Sequence, residues 1–145
     1  MDNYLVINGP NLNLLGLREP GIYGELTLKD VEERVQRVAG ELGVSVVFFQ
    51  SNHEGSIIDR LHSAREDCAG IVFNPGAYSH YSYAIRDALS AIKVPCVEVH
   101  ISNIHQREEF RHTSVISPVV IGQIAGLGVH GYELALRALV KRSAG

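Results

Sequence analysis

The strongest constraint on how this chain folds is the repeated switch in the spacing of its apolar residues. Residues 4–8, 44–50, 69–74, 95–100 and 118–125 read as near-continuous apolar runs, rich in β-branched side chains. Between them the spacing changes to three and four. Val31, Val35, Val38 and Leu42 fall on one helical stripe, Ile57, Ile58 and Leu61 begin another that runs to about Asp67, and helices are expected over 78–91 and 127–142. Thr27, with Asp30 three positions later, reads as a helix start, and Gly43 as its stop. Strands apolar on both faces, alternating with amphipathic helices, imply a parallel sheet covered on each side.

Five such strands are most economically arranged as a flavodoxin-like three-layer α/β fold of strand order 2-1-3-4-5, in one domain over residues 1–145. In that order the connections leave the first and third strands in opposite directions. A crevice opens at their carboxyl ends, where ligands bind. The polar residues gather there: Asn8, Asn11, Arg18 and Tyr23 follow strand one, Asn74 and His80 follow strand three, and His100, Ser102 and Arg111 follow strand four. The first of these segments, residues 9–24, is a long loop punctuated by glycine and proline. Long irregular loops are uncommon in compact domains unless they bind or cover something, and this one is expected to close over a ligand.

Composition narrows the ligand. With 13 Lys and Arg against 16 Asp and Glu, the net charge of −3 supplies no long-range attraction to nucleic acid or acidic lipid, so a small molecule is expected. No run is long enough to span a bilayer and no basic-then-apolar leader opens the chain, so the expected location is the cytoplasm. Cys68 and Cys96 are isolated in apolar surroundings and are expected as buried free thiols.

Glu98 and His100 are two apart on strand four, so they share a face about 6–7 Å apart at the backbone. A carboxylate bonded to imidazole fixes its tautomer and favours the cation, which suits a general acid. The same spacing also fits a solvated strand-end histidine with a chance neighbour. Tyr23 alone would be a poor base, with on the order of one phenol in a thousand ionised at pH 7. A guanidinium at Arg18 would favour the phenolate, although Tyr23 could equally cover the core beside a solvated Arg18. Arg111 suits a planar carboxylate, whereas Arg107, Glu108 and Glu109 read as a solvated face. The turn from Asn74 through Ser79 opens a helix whose first amides could hold an oxyanion, with Asn74 and Ser79 alternatively serving as caps.

Three other signals lead nowhere. The stretch Gly126-Leu127-Gly128-Val129-His130-Gly131 matches a dinucleotide fingerprint, but it lies in the last helix with no strand after it, and close helix packing accounts for it better. His100, His105 and His112 lack metal-site spacing, so no metal is expected. His53, His62, His105 and His130 read as surface or core residues. No serine sits in a Gly-x-Ser-x-Gly elbow, and Lys29, Lys93 and Lys141 lie on helix surfaces or near the C-terminus, which argues against a Schiff base.

Taken together, the blocks Asn8-Gly9-Pro10-Asn11-Leu12-Asn13-Leu14-Leu15-Gly16, Arg18-Glu19-Pro20 and Tyr23-Gly24 resemble the opening signature of the type II 3-dehydroquinate dehydratases (3-dehydroquinases). Gln50-Ser51-Asn52-His53-Glu54-Gly55, Asn74-Pro75-Gly76-Ala77-Tyr78, Glu98-Val99-His100-Ile101-Ser102-Asn103 and Arg107-Glu108-Glu109-Phe110-Arg111 resemble its later blocks, in order and register. The resemblance spans nearly the whole chain. It implies a hydro-lyase of the shikimate pathway, which feeds chorismate and the aromatic amino acids, eliminating water from 3-dehydroquinate in anti geometry without a cofactor. It also implies roles. Tyr23 as phenolate is the base, Arg18 lowers its pKa, His100 oriented by Glu98 is the acid, and Asn11 helps hold a water at the enolate oxygen. Asn74, His80, Ile101, Ser102 and Arg111 bind substrate, and Asp87 reaches in from a neighbouring subunit of a homo-dodecamer built from trimers. One departure stands out: Tyr81 and Tyr83 occupy positions where a small polar and a β-branched residue are expected. A flavin-binding or receiver module shares the fold, but receivers need acidic residues where this chain has Asn8 and Asn74.

Overall fold

The computed structural model describes residues 2–17, 21 and 25–144. Five parallel strands, β1 (Asn3–Asn8), β2 (Ser45–Gln50), β3 (Gly70–Asn74), β4 (Cys96–His100) and β5 (Gly122–Ala125), form one sheet of order 2-1-3-4-5. Helices α1 (Leu28–Leu42), α2 (Glu54–Asp67), α3 (Tyr83–Ile92) and α4 (His130–Ala144) cover it. This is the flavodoxin-like arrangement that the alternating apolar periods require.

The central strand explains why both faces must be covered. Successive side chains of a strand point to opposite faces, so Tyr4 and Val6 meet Val35, Val38, Leu136 and Leu139 of α1 and α4. Leu5 and Ile7 meet Ile57, Leu61, Ile85 and Leu89 of α2 and α3. Each fully buried aliphatic side chain contributes about 1.5–3 kcal/mol. Exposing either face of β1 would therefore consume a large part of a domain's whole margin of stability. Among the described residues no helix is long and apolar enough to cross a membrane.

Helix α1 starts and stops where its sequence specifies. The Asp30 amide donates to Thr27 Oγ1 at 3.2 Å, and the Thr27 amide donates back to Asp30 Oδ2 at 2.9 Å. Gly43, at φ 71°, ends the helix in the left-handed conformation. Three other elements differ from the expected boundaries. A single helix over 78–91 is not formed: a 3₁₀ turn at Gly76–His80 comes first, and Ser82 then caps α3 by accepting the Ile85 amide at 3.1 Å. The last strand begins at Gly122 rather than at 118, because Pro118 lies in a 3₁₀ turn at Ser117–Val119 and has no amide for a ladder. The last helix begins at His130 rather than at 127. Gly126 and Gly128 are left-handed (φ 87° and 64°) and belong to the preceding loop, so only Gly131 of the glycine-rich stretch packs inside the helix, against Ile124 and Val99.

Both cysteines are free, and Cys96 is buried as expected. Cys68 is only half-buried: it packs against the apolar cluster beneath α2 and α3, and its Sγ lies 3.2 Å from Asp67 Oδ1.

Candidate active site

The site is built where β1, β3 and β4 end side by side. Asn8 is in register with Gln50 and Asn74, and the chain leaves β1 and β3 in close-crossing turns. Gly9 makes that crossing possible. Its amide donates to the Asn74 carbonyl at 2.8 Å, and a Cβ there would sit 2.5 Å from the Pro75 oxygen. Beyond the crossing, Asn11 adopts φ 69°, a conformation asparagine tolerates better than most residues. The Asn52 side chain holds it there, its Oδ1 accepting the Asn11 amide at 2.9 Å and the Gln50 amide nitrogen at 3.2 Å.

A cavity of about 200 Å³ opens at this edge. Asn11, Asn74, His80, His100, Ile101, Ser102 and Arg111 all line it, so these residues, dispersed over a hundred positions, share one pocket. Arg107 lines it too. The sequence placed Arg107 on a solvated face, but its side chain is only 11% exposed and shares the cavity lining with Arg111. Asp87 is exposed on α3, outside this lining. Arg18 and Tyr23 lie outside the described residues.

Glu98 lies behind the wall, completely buried, and its Oε2 is 2.6 Å from His100 Nε2. Ser79 Oγ donates to the same oxygen at 2.5 Å, Ser117 Oγ to Oε1 at 2.7 Å, and Ser114 Oγ lies 2.8 and 2.9 Å from the two oxygens. Burial alone would push this carboxyl up. The His100 bond and charge, aided by Ser79 and Ser117, outweigh burial and hold it at about 2. A carboxylate only accepts, so His100 Nε2 carries a proton and Nδ1 is the nitrogen left for a ligand.

His80 stacks against His100, with centroids 6.0 Å apart and planes 19° from parallel. Its Nδ1 faces the Thr113 carbonyl at 2.9 Å, so Nδ1 donates and Nε2 is an acceptor in the neutral ring. Burial pushes the His80 pKa down, and His100 and Arg111 push it the same way. The two imidazoles therefore differ: one backs onto an anion, the other onto a neutral carbonyl.

Asn74 is fixed by three partners in a chain. Its Oδ1 accepts the Gly76 amide at 3.1 Å, its Nδ2 donates to Tyr132 Oη at 2.9 Å, and that hydroxyl donates to Asn8 Oδ1 at 2.6 Å. One Nδ2 proton remains for the pocket. Arg111 is clamped by Glu108, with Nε to Oε1 at 3.1 Å, and its guanidinium carbon stands 4.6 Å from the Phe110 ring centroid. Tyr132, Ser114 and Ser117 were not legible as site residues. Tyr132 reads as one more apolar position of a helical stripe, and the serines carry no motif.

Among the described residues no group of three His, Cys, Asp or Glu side chains is placed to hold a metal. Polar donors and two arginines line one cavity, with a buried carboxylate–imidazole pair behind it, at the switch point of a doubly wound sheet, the place where enzymes of this architecture bind small ligands.

Comparison with known proteins narrows that class. The profile of the dehydroquinase class II family matches residues 2–140. A 3-dehydroquinate dehydratase of Bacillus subtilis (strain 168) is 57% identical over 145 residues, all of this chain and 98% of the relative. The 3-dehydroquinate dehydratase 1 of Agrobacterium fabrum is 62% identical over 135 residues, 93% of each chain. Among solved structures, the type II dehydroquinases of Butyrivibrio crossotus and Propionibacterium acnes each superpose with a TM-score of 0.93 at 50% identity, covering 95% and 97% of this chain and 97% of theirs. A 3-dehydroquinate dehydratase-like protein of Bifidobacterium longum is more distant, with a TM-score of 0.75 at 29% identity over the full length of both chains. The chain belongs to the class II dehydroquinase family, whose members are hydro-lyases.

Proposed function

We propose that this chain converts 3-dehydroquinate to 3-dehydroshikimate by a cofactor-free anti elimination of water through an enolate, in the shikimate pathway. The observation that carries the reading is the buried Glu98–His100 pair at the wall of a pocket that Arg107 and Arg111 also line. Removing a proton beside a ketone and expelling a hydroxyl needs a base, an enolate stabiliser and an acid.

In this account Tyr23, as phenolate beside Arg18, takes the proton. The electron pair passes to the ketone oxygen, where Asn11 orients a water. On collapse of the enolate the C–O bond breaks. His100 Nδ1 then gives its proton to the departing oxygen, producing water and a neutral ring that still donates Nε2–H to Glu98. Arg111 meets the substrate carboxylate, while Asn74, His80, Ile101 and Ser102 meet its hydroxyls and carboxylate. The roles of Tyr23 and Arg18 rest on the sequence blocks that carry them, and the others are supported by their shared pocket.

The working unit in this reading is one catalytic domain per chain, assembled in the cytoplasm as a dodecamer built from trimers, with Asp87 completing a neighbour's pocket. Asp87 is exposed on α3 and outside its own cavity, and Tyr81 and Tyr83 nearby are 58% and 66% exposed, an apolar surface suited to burial against another copy.

The test is ultraviolet absorbance on mixing purified protein with 3-dehydroquinate, without added metal or nucleotide, since the product is a conjugated enone. Absorbance should rise, and activity should survive borohydride treatment. A flat trace from folded protein would defeat the proposal.

A further inference from the structure

We propose that Ser114 and Ser117 are positioning residues that keep the Glu98 carboxyl an obligate acceptor, and thereby keep the Nε2 proton on His100 and favour the imidazolium that acts as the acid; the inference rests on the function proposed above.

The argument is one of hydrogen-bond polarity. A serine oxygen has one proton and two lone pairs. Ser114 Oγ accepts the amides of Ile116 and Ser117 at 3.1 and 3.0 Å, which fills both lone pairs. Its O–H then has one place to point, the Glu98 carboxyl, 2.8 Å from Oε1 and 2.9 Å from Oε2. Ser117 Oγ receives the Gln123 side-chain amide at 3.0 Å and lies 2.7 Å from Oε1. Oε1 thus faces two donors, and one of them has no lone pair left to take a proton back. On Oε2 the Ser79 hydroxyl and His100 Nε2 compete as donors. A proton on Glu98 would replace the charge-assisted bonds that Ser114 and Ser117 donate to a carboxylate with weaker ones to a neutral carboxyl in a buried site. The proton shared by the pair is therefore held on the imidazole.

Ser114 and Ser117 lie at the end of the same connection that carries Arg111 into the pocket. The backbone of that connection is tied down close by, with the Val115 amide donating to the Ser79 carbonyl at 2.8 Å. The segment that brings a substrate-facing guanidinium to the front of the pocket also closes the back of the acid pair. Neither serine touches the cavity, so both act through Glu98.

The test uses full-length Ser114→Ala with two readings. With 3-dehydroquinate, kcat should fall about tenfold or more while KM stays within about threefold, because the lost bond is to a charged group that does not meet substrate. In the resting protein at neutral pH, infrared spectroscopy should reveal a protonated carboxyl band absent from the wild type, and that band should vanish when Glu98→Gln is added. If Ser114→Ala does not fold, Ser117→Ala is read the same way. Unchanged kcat with no new band, or equal loss in kcat and KM without the band, would overturn the inference. A wild type inert toward 3-dehydroquinate would defeat the proposed function instead, and the infrared reading needs no substrate.

Discussion

Glu98 and Glu108 stand ten positions apart, and the fold holds both carboxyls below their ordinary value. They do so by different physics. Glu108 is solvent-exposed, and the Arg111 guanidinium beside it lowers its pKa through a bond that water and salt also compete for. Glu98 has lost all contact with solvent, so burial works against its charge, and His100 with three serines must more than compensate. The same side chain is a loose clamp in one place and a fixed element of an acid in the other. Only in the second case does removing a single partner strand a charge in a low-dielectric interior.

The comparison is broken most severely at Glu98 itself. Glu98→Ala leaves three serine hydroxyls and His100 without their acceptor, and stability should fall by about 3–5 kcal/mol, read by urea unfolding. A loss under 1 kcal/mol would mean that the pair is no better buried than Glu108. Next comes Tyr132→Phe, which cuts a neutral buried network at the neighbouring strand ends. It should cost about 1–3 kcal/mol and raise KM through a freed Asn74. An unchanged urea midpoint would show that charge, not burial, makes such networks matter.

Acid sharpens the contrast. The Glu98 carboxyl sits at about 2 in the folded chain against 4.5 without its partners, so folding favours its deprotonated form. Its contribution to stability is complete above about 4.5 and is lost as pH falls toward 2. Unfolding followed through that window should steepen in the wild type and flatten in Glu98→Gln. The smallest effect belongs to Glu108→Gln, which should leave the urea midpoint in place and loosen Arg111 enough to raise KM modestly, less so in high salt.

The legible parts of the sequence were those governed by local rules. The capping pair Thr27 and Asp30 specified the start of α1, the unbroken apolar run Leu5, Val6 and Ile7 specified a strand buried on both faces, and the spacing of Glu98 and His100 specified a shared face. Rules of short range also explain the misplacements. Ser82 restarts a helix that the apolar pattern had begun at 78, and left-handed Gly126 and Gly128 delay the last one, each through a single backbone conformation or cap that periodicity does not register. The serines around Glu98 were invisible for a different reason. They come from 16 and 19 positions along the chain, through a connection whose path only the tertiary fold defines. Arg107 was misread likewise, since a run of charged residues in a loop looks solvated until the loop is laid against a pocket.

The central claim is that a buried carboxylate makes His100 the acid. The most direct measurement is kcat for Glu98→Gln on 3-dehydroquinate, followed by enone absorbance alongside the wild type. Glutamine keeps the size of the side chain and removes the charge. The account predicts a loss of kcat of about a hundredfold or more with KM little changed. Turnover within about threefold of the wild type would contradict it and move the acid role away from the Glu98–His100 pair.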